Sequence, residues 1–310
     1  MRLSSRVWRE SPARINLNVS RELCALHRSA PDTMTIEASG EVGYVSGRTR
    51  IFGIVGHPIE QVRSPEMITA LLKSRGADAI LIPMHVMPDD FDACIPQLMR
   101  MRNLDGLVFT IPYKVRACAL ANELGPQGRV VGAINALARR LDGMWHGDMF
   151  DGQGCVEALR ARGVEVAGKR VMLLGAGGAG AAIAVAIGGE RPASLRIFDV
   201  DGDKAGTLTA KVTDAFPDID VKAGAPTTDG MDILINASPV GMLTDARLPI
   251  AVSSIPPRVV VLDAIVKPER TPLIELAQHC GCTTIYGKEM MLGQIARIVD
   301  FFLRVDRQAP

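Results

Sequence analysis

The sequence has few of the features that are typical of membrane proteins and of nucleic-acid-binding proteins. Aromatic residues make up 4% of the 310 residues, and the formal net charge of +1 gives no long-range field that would attract nucleic acid or a membrane surface. No apolar run approaches the roughly 20 residues that a membrane-spanning helix needs. These absences indicate a globular protein with no nucleic-acid or membrane partner.

Cysteines are few and scattered. They form no C-x-x-C pair, and no spacing of His, Asp and Glu suggests a metal ion, so we expect no metal site. This usage favours reduced thiols and a cytoplasmic location. The cysteines are Cys24, Cys94, Cys118, Cys155, Cys280 and Cys282.

The beginning of the chain differs from the rest. Residues 1–45 contain six arginines and frequent Ser, Thr and Gly, yet they show neither the apolar core of a secretory signal nor a sustained periodicity. We expect a mobile extension without chemistry, and a true translation start near Met34 is an alternative explanation.

The most informative segment is 171–204, where an apolar run, a glycine-rich turn and an Ala-rich run follow one another. The turn has the G-x-G-x-x-G spacing, in which the glycines permit a tight turn, a close approach of pyrophosphate to bare backbone, and close helix–strand packing. A glycine-rich turn in an ordinary α/β protein is the alternative. The context predicts a dinucleotide site formed by Gly175, Ala176, Gly177, Gly178, Ala179 and Gly180.

Acidic residues follow the next predicted strand. Asp199 is placed to accept hydrogen bonds from a ribose 2′-OH and would repel the 2′-phosphate of NADP, which arginine usually holds. Val200 stands where that arginine would be. The sequence therefore favours NAD over NADP, with Asp199, Val200 and Asp201 near the ribose. Alternatively, one or two of the acids only cap the next helix, and we expect Asp203 to do so.

From residue 50 onward, predicted strands and helices alternate. The chain of 310 residues is longer than a single hydrophobic core usually supports. We predict an α/β protein with two open α/β domains and a cleft between them: a substrate-binding domain (46–150), a linker helix (151–163), a Rossmann dinucleotide-binding domain (164–287) and a C-terminal helix (288–310) that packs back on the first domain. The predicted strands are 50–55, 79–86, 104–110, 195–198, 232–237, 259–265 and 283–286; helices are predicted at 65–74, 89–101, 152–162 and 289–303.

Polar residues at the ends of cleft-facing strands are the candidates for chemistry, because ligands of open α/β sheets bind there. In the second domain, the turn that contains Asn236, Ser238, Val240 and Met242 would lie over a nicotinamide. In the first domain, the candidates are Thr110, Lys114, Asn135, Asp148 and Asp151.

Seven motifs carry a clear resemblance to the shikimate dehydrogenase family. VFTIPYK, GAINAL, GDMFDGQG, GAGGAG, INASPVGM, LDAIVKPERTPL and GKEMMLGQ occur in the family's order between about residues 50 and 305. The resemblance implies reversible hydride transfer between a nicotinamide and a secondary alcohol of a cyclic hydroxy acid such as shikimate or quinate. It also implies that Lys114 and Asp151 are catalytic. We also place Gly287 and Met291 near the cofactor, with the filling of a gap in the core as the alternative role of Met291.

The implied pair suits this chemistry, because alcohol oxidation needs a group that holds and passes on the hydroxyl proton. Lys114 would relay the proton and stabilise the alkoxide-like oxygen, while Asp151 orients the lysine. The alternatives are a solvated lysine at a helix start and an aspartate that caps the linker helix.

The substrate shell departs from the family pattern. Val62 replaces the first serine of H-S-x-S-P, while Val108 and Val266 replace an asparagine and a tyrosine. Each lost partner removes about 0.5–1.5 kcal/mol of net hydrogen bonding. Arg63 is a candidate to hold a carboxylate instead, or it points to solvent. The family's substrate contacts that remain are Ser64, Thr110, Asn135 and Gln294.

We therefore predict a monomeric or homodimeric NAD-dependent enzyme. Its substrate would be a cyclic or unsaturated hydroxy acid that has fewer hydroxyls than shikimate or carries them at other positions. A true shikimate or quinate dehydrogenase is one alternative. A dinucleotide-sensing regulator without catalysis is another, although it would have no reason to keep both Lys114 and Asp151. A different two-domain Rossmann enzyme, such as a methylene-tetrahydrofolate dehydrogenase, would lack the GAINAL and INASPVGM motifs.

Overall fold

The computed structural model describes residues 45–60 and 62–305, so the expectation of an N-terminal extension concerns a segment that, apart from Val45, lies outside the described residues. The described chain folds into two six-stranded sheets with helices around them. The strands are β1 (Arg50–Gly56), β2 (Ala79–His85), β3 (Leu104–Phe109), β4 (Glu123–Leu124), β5 (Ala136–Arg139), β6 (Trp145–Asp148), β7 (Arg170–Leu174), β8 (Ser194–Phe198), β9 (Asp220–Ala223), β10 (Ile233–Asn236), β11 (Val260–Asp263) and β12 (Thr284–Ile285). The helices are α1 (Ser64–Ser74), α2 (Phe91–Leu98), α3 (Pro126–Val131), α4 (Asp151–Ala161), α5 (Gly178–Gly189), α6 (Gly202–Ala215), α7 (Pro272–His279) and α8 (Gly287–Val305), and a 3₁₀ helix spans Arg116–Leu120.

The first sheet is mixed, with the strand order β2-β1-β3-β5-β6-β4. Strands β1, β2 and β3 run parallel, so their carboxyl ends share one edge of the sheet. Strand β5 runs antiparallel to both β3 and β6. The turn between β5 and β6 contains Gly143 at φ 85°, a left-handed conformation that favours glycine. Strands β5 and β6 thus form a hairpin.

The second sheet is wholly parallel, with the order β12-β11-β10-β7-β8-β9. Strands β8 and β9 extend the sheet on one side of β7, and β10, β11 and β12 extend it on the other. This reversal of strand order is the Rossmann topology, in which the ligand crevice lies at the point of reversal, between β7 and β10. The predicted α/β fold class with two open sheets is therefore confirmed. No helix in the described ranges is both long enough and apolar enough to cross a membrane.

Two helices, α4 and α8, join the sheets. They pack against each other, α4 also packs against α5 of the second sheet, and α8 packs against α1 and β5 of the first. Helix α8 buries a stripe formed by Ile295, Ile298, Val299 and Phe302, whose spacing of three and four residues places them on one helical face. This stripe joins the cluster that contains Phe52 of β1.

Candidate functional site

Lys114 follows β3 on a backbone that is fixed on both sides. The Tyr113 N–H donates to the carbonyl of Thr110 at 2.9 Å, and the buried Tyr113 hydroxyl donates to the carbonyl of Val86. The carbonyl of Lys114 itself accepts from the N–H of Ile134 at 2.9 Å. The lysine side chain extends from this fixed backbone, and 29% of it is exposed.

Asp151 meets Lys114 from the first turn of α4. The Lys114 Nζ donates to Asp151 Oδ2 at 2.5 Å, and 10% of the aspartate side chain is exposed. Asp151 Oδ1 accepts from Asn135 Nδ2 at 2.7 Å and from Gln294 Nε2 at 2.6 Å. Three donors therefore fix the carboxylate. The alternative role of Asp151 as a helix cap is not adopted, because Phe150 is the N-cap residue of α4 and no side chain caps that helix.

Asn135 connects this site to the first sheet. It is fully buried, its N–H donates to the carbonyl of Asp148, and its own carbonyl accepts from the N–H of Phe109. Its Oδ1 accepts from the N–H of Phe150 at 2.9 Å, while its Nδ2 binds Asp151. The position of the aspartate is thereby tied to the sheet.

Glycines let the helices approach each other at the carboxylate. A Cβ on Gly152 would strike the carbonyl of Ala182 in α5, and a Cβ on Gly154 would lie 3.0 Å from the N of Gln294 in α8. A Cβ on Gly293 would in turn lie 3.0 Å from the carbonyl oxygen of Gly154. The absence of these side chains brings Gln294 within reach of Asp151.

Asp148 has a structural role that the sequence did not reveal. Its position at the end of a strand made it a candidate for chemistry. In the structure, its Oδ1 accepts from the N–H of Gly128 at 2.6 Å and from the N–H of Met149 at 2.9 Å. Burial raises the pKa of the Asp148 carboxyl. Its hydrogen bonds hold the start of α3 against the loop that leads to Asp151.

The other predicted substrate residues are not joined to Asp151 by hydrogen bonds in the described residues. Ser64 begins α1 and Thr110 begins the turn before Lys114. Arg63 is paired with Glu66 of α1, with Nε 2.7 Å from Oε1, and 63% of its side chain is exposed. The guanidinium considered for a substrate carboxylate is thus bound to a protein carboxylate.

Two of the replacement valines line an apolar cluster. Val108 is 5% exposed and lies in the cluster under α8, and the partly buried Val62 packs against the same cluster. Val266 is 46% exposed after β11. No side chain among these three can replace a lost hydroxyl or amide.

The glycine-rich turn fits a dinucleotide. Gly175 has φ 102°, and a Cβ there would lie 2.8 Å from the N of Ser238. A Cβ on Gly180 would strike the carbonyl of Gly175. A Cβ on Gly177 or Gly178 would meet nothing within 4 Å, and no side chain caps the start of α5. Backbone N–H groups at an open helix N-terminus are the donors that a pyrophosphate requires.

Asp199 shapes this turn directly. Its Oδ2 accepts from the N–H of Ala176 at 2.7 Å, and its Oδ1 accepts from the N–H of Asp201 at 2.9 Å. The expected capping by Asp203 is wrong: Asp201 is the N-cap of α6 and accepts from the N–H of Lys204, because the helix begins one residue after Asp201. Val200 points into open space, with 93% of its surface exposed.

Asn236 organises the loop opposite the glycine-rich turn. It is fully buried, its Oδ1 accepts from the N–H and hydroxyl of Ser238, and its Nδ2 donates to Asp263 Oδ1 at 3.1 Å and to the carbonyl of Val240 at 3.3 Å. Burial raises the pKa of the Asp263 carboxyl. Asn236 was predicted to bind a cofactor; in the described part of the chain its side-chain amide binds Ser238 and Val240 of this loop and Asp263 of β11.

The remaining predicted cofactor residues are Ala179, Met242, Gly287 and Met291. Met242 is 45% exposed beyond the loop that Asn236 shapes. Gly287 begins α8, where a Cβ would strike the carbonyl of Ile265. Met291, on the next turn of α8, is partly buried against the cluster under that helix. Ala179 is exposed in the first turn of α5.

The fold and this arrangement define a class: two-sheet α/β oxidoreductases in which a Rossmann sheet faces a second domain. A family model described as the shikimate dehydrogenase substrate binding domain matches residues 54–137. The shikimate dehydrogenase (NADP(+)) of Rubrobacter xylanophilus is 34% identical over 258 residues, which cover 81% of this chain and 89% of that protein. The chain belongs to the shikimate dehydrogenase family, and it is a nicotinamide-dependent oxidoreductase at the level of that family.

Two solved structures are also similar. The ligand-free 5-ketofructose reductase of Gluconobacter sp. strain CHM43 is 29% identical with a TM-score of 0.77, and the match covers 84% of this chain and 94% of that one. Shikimate 5-dehydrogenase from Listeria monocytogenes, in complex with shikimate and NAD, is 26% identical with a TM-score of 0.79, and the match covers 84% and 93%.

Proposed function

We propose that this protein transfers a hydride between a nicotinamide cofactor and a secondary alcohol or ketone of a small cyclic hydroxy acid, with Lys114 and Asp151 as the catalytic residues. The observation that carries the proposal is the bond between Lys114 Nζ and Asp151 Oδ2 at 2.5 Å. Lys114 follows the carboxyl end of β3, and Gly152, next to Asp151, packs against α5, the helix that begins at the glycine-rich turn. The first sheet would hold the substrate and the second the nucleotide.

The mechanism uses the pair for the proton. A bound nicotinamide supplies or accepts the hydride. In the ketone-reducing direction, the Lys114 ammonium donates its proton to the oxygen that gains negative charge, and Asp151 Oδ2 keeps the ammonium aimed at it. Asn135 and Gln294 hold the other aspartate oxygen and prevent the carboxylate from turning away. The alcohol-oxidising direction reverses these steps.

The proposed cofactor is NAD, with NADP disfavoured. Asp199 stands at the carboxyl end of β8, and the exposed Val200 offers no charge to a 2′-phosphate. The Rubrobacter relative is named for NADP(+), whereas the Listeria structure contains NAD. Fluorescence titration tests the choice: NADH should bind more tightly than NADPH, and the reverse order would reject NAD.

The proposed substrate is less hydroxylated than shikimate or carries its hydroxyls elsewhere. Val62, Val108 and Val266 offer no hydrogen bonds, and Arg63 is bound to Glu66. A panel of cyclic hydroxy acids followed by NADH absorbance tests this proposal. Efficient turnover of shikimate or quinate at a micromolar Michaelis constant would instead identify a true shikimate or quinate dehydrogenase.

A second candidate substrate is a keto sugar without a carboxylate. The pairing of Arg63 with Glu66 favours it, because a neutral substrate needs no free guanidinium, and the Gluconobacter relative is named for such a substrate. The same assay with 5-ketofructose separates the two candidates. Turnover of the keto sugar above that of every acid would favour the second.

A further inference from the structure

Asp263 is a buried carboxylate that the proposed proton transfer does not use. It ends β11 beside Asn236, the last residue of β10, and 1% of its surface is exposed. Its Oδ1 accepts from Asn236 Nδ2 at 3.1 Å and from the N–H of Ile265 at 3.0 Å, and its Oδ2 accepts from the Thr271 hydroxyl at 2.6 Å. A buried charge needs such partners. The carboxylate thereby joins the ends of two strands to the residue that precedes α7.

Asn236 connects Asp263 to the loop that follows β10. We refer to residues 237–242 as the β10 loop. Asn236 Oδ1 accepts from the N–H of Ser238 at 3.0 Å and from its hydroxyl at 2.7 Å, and Asn236 Nδ2 donates to the carbonyl of Val240 at 3.3 Å. The N–H of Val240 donates to Ser238 Oγ at 3.3 Å. The β10 loop is thus bonded at two residues to an amide that Asp263 holds.

The far end of the β10 loop lies against the start of α7. Thr271 is the N-cap of that helix, and its Oγ1 accepts from the N–H of Ile274 at 3.3 Å. Gly241 has φ 97°, and a Cβ there would lie 3.7 Å from the Cβ of Thr271 and 3.5 Å from Cδ of Pro272. The two oxygens of Asp263 therefore hold the loop through Asn236 and the surface under the loop through Thr271.

The β10 loop borders the crevice proposed for the dinucleotide. A Cβ on Gly175 of the glycine-rich turn would lie 2.8 Å from the N of Ser238 and 3.0 Å from the carbonyl oxygen of Ala237. In a Rossmann sheet each half binds one mononucleotide, with the pyrophosphate at the glycine-rich turn. Asp199 places the proposed adenosine ribose on the β8 side of that turn, so the nicotinamide half falls on the β10 side.

We infer that Asp263 is a positioning residue that fixes the β10 loop, through Asn236, as a preformed surface for the nicotinamide ring. This inference rests on the proposed function, since it requires a nicotinamide cofactor. A loop that is held before the cofactor arrives does not have to be ordered on binding, and the ring is bound more tightly for that reason. Without its anchor the loop must be ordered by the ring itself, so the loss falls on the nicotinamide half of the cofactor.

The test compares NADH with ADP-ribose, which lacks the nicotinamide ring. Isothermal titration calorimetry gives the ratio of the dissociation constant of NADH to that of ADP-ribose. Asp263→Asn puts an amide donor among groups that are themselves donors, and Thr271→Val removes a hydroxyl while keeping the shape of the side chain. We expect each substitution to raise the ratio by at least about threefold, with little change in the dissociation constant of ADP-ribose.

Two further variants serve as controls. Thr271→Ser keeps the hydroxyl that binds Asp263, so it should restore the wild-type ratio to within about twofold. Asp232→Asn makes the matched substitution just before β10, at the opposite end of that strand, where Asp232 is paired with Arg170. It should also leave the ratio within about twofold of the wild type.

The outcomes separate this inference from the proposed function. A ratio that rises by less than about threefold in Asp263→Asn or in Thr271→Val, whichever folds, would overturn the role of Asp263 and leave the oxidoreductase function standing. An equal rise in Asp232→Asn would also overturn it, because the effect would then be one of general stability. A wild type that binds neither NADH nor ADP-ribose would overturn both claims.

Discussion

Gln294 and Asp151 are 143 positions apart in the chain, yet Gln294 Nε2 lies 2.6 Å from Asp151 Oδ1. The bond joins the two helices that connect the sheets, α4 and α8. It requires glycine on both sides of the crossing, because a Cβ would push the helices apart. The geometry of the proposed catalytic carboxylate is therefore a consequence of how these helices pack.

Replacement of one aspartate oxygen tests the bond to the lysine. In Asp151→Asn, Oδ1 can still accept from Asn135 and Gln294, but the new NH₂ group would face the Lys114 ammonium as a second donor. We expect kcat to fall by about 10²–10⁴-fold, because the lysine loses its orienting acceptor. Steady-state kinetics with NADH binding as the reference measures the effect, and an unchanged kcat would show that Asp151 does not act through Lys114.

The close packing of α4 against α5 can also be tested with a single methyl group. In Gly152→Ala the new Cβ meets the carbonyl of Ala182 and lies 2.8 Å from the Cβ of Ala186. We expect a loss of about 1–3 kcal/mol in the free energy of unfolding. Gly206→Ala on α6 is the control, since its Cβ would meet nothing within 4 Å and should stabilise the helix by about 0.5–1 kcal/mol. Urea unfolding measures both, and equal effects would refute the packing argument.

Cofactor preference should respond to one exposed position. Val200→Arg places a guanidinium beside the proposed ribose site, where it can pair with a 2′-phosphate. We expect the ratio of the NADPH to the NADH dissociation constant to fall by about tenfold, with Val200→Leu as the uncharged control. If both substitutions leave the ratio unchanged, the nucleotide does not place its ribose at Val200.

The buried Asp148 makes a prediction about pH. Its pKa is raised in the folded protein, so the native state takes up this proton at a higher pH than the unfolded chain does. The charged carboxylate therefore lowers stability at neutral pH, and this penalty is lost as pH falls through the raised pKa. Asp148→Asn keeps an Oδ1 that can accept from both Gly128 and Met149.

The melting temperature of Asp148→Asn relative to the wild type should thus be highest at pH 7 to 8 and should decline as pH falls towards 4. The exposed Asp218→Asn is the control and should show no such trend. A relative melting temperature that rises as pH falls would mean that the folded state favours the charged form of Asp148.

Periodic and motif-bearing parts of the chain could be predicted from the sequence. The alternating strands and helices follow from apolar periodicity, and the glycine-rich turn follows from its spacing. The family resemblance predicted a common site for Lys114, Asp151, Asn135 and Gln294, and the structure joins these four by hydrogen bonds. Their catalytic and binding roles remain predictions.

Other features depend on contacts that the sequence does not encode locally. Strand β4 and helix α3 are too short to show a period, and β9 buries only Val221 of its four residues. Helix α2 is shorter than predicted, at Phe91–Leu98 rather than 89–101, and it contains Pro96. Which acid caps α6 depends on a boundary that differs by one or two residues. The partner of Arg63 depends on a rotamer that brings it to Glu66.

The central claim is that Lys114 handles the proton of the reacting oxygen, and the kcat of Lys114→Met measures it most directly. With the best substrate of the panel and saturating cofactor, we expect kcat to fall by at least about 10²-fold while the dissociation constant of NADH stays within about twofold of the wild type. A Lys114→Met enzyme that keeps the wild-type kcat would contradict the account.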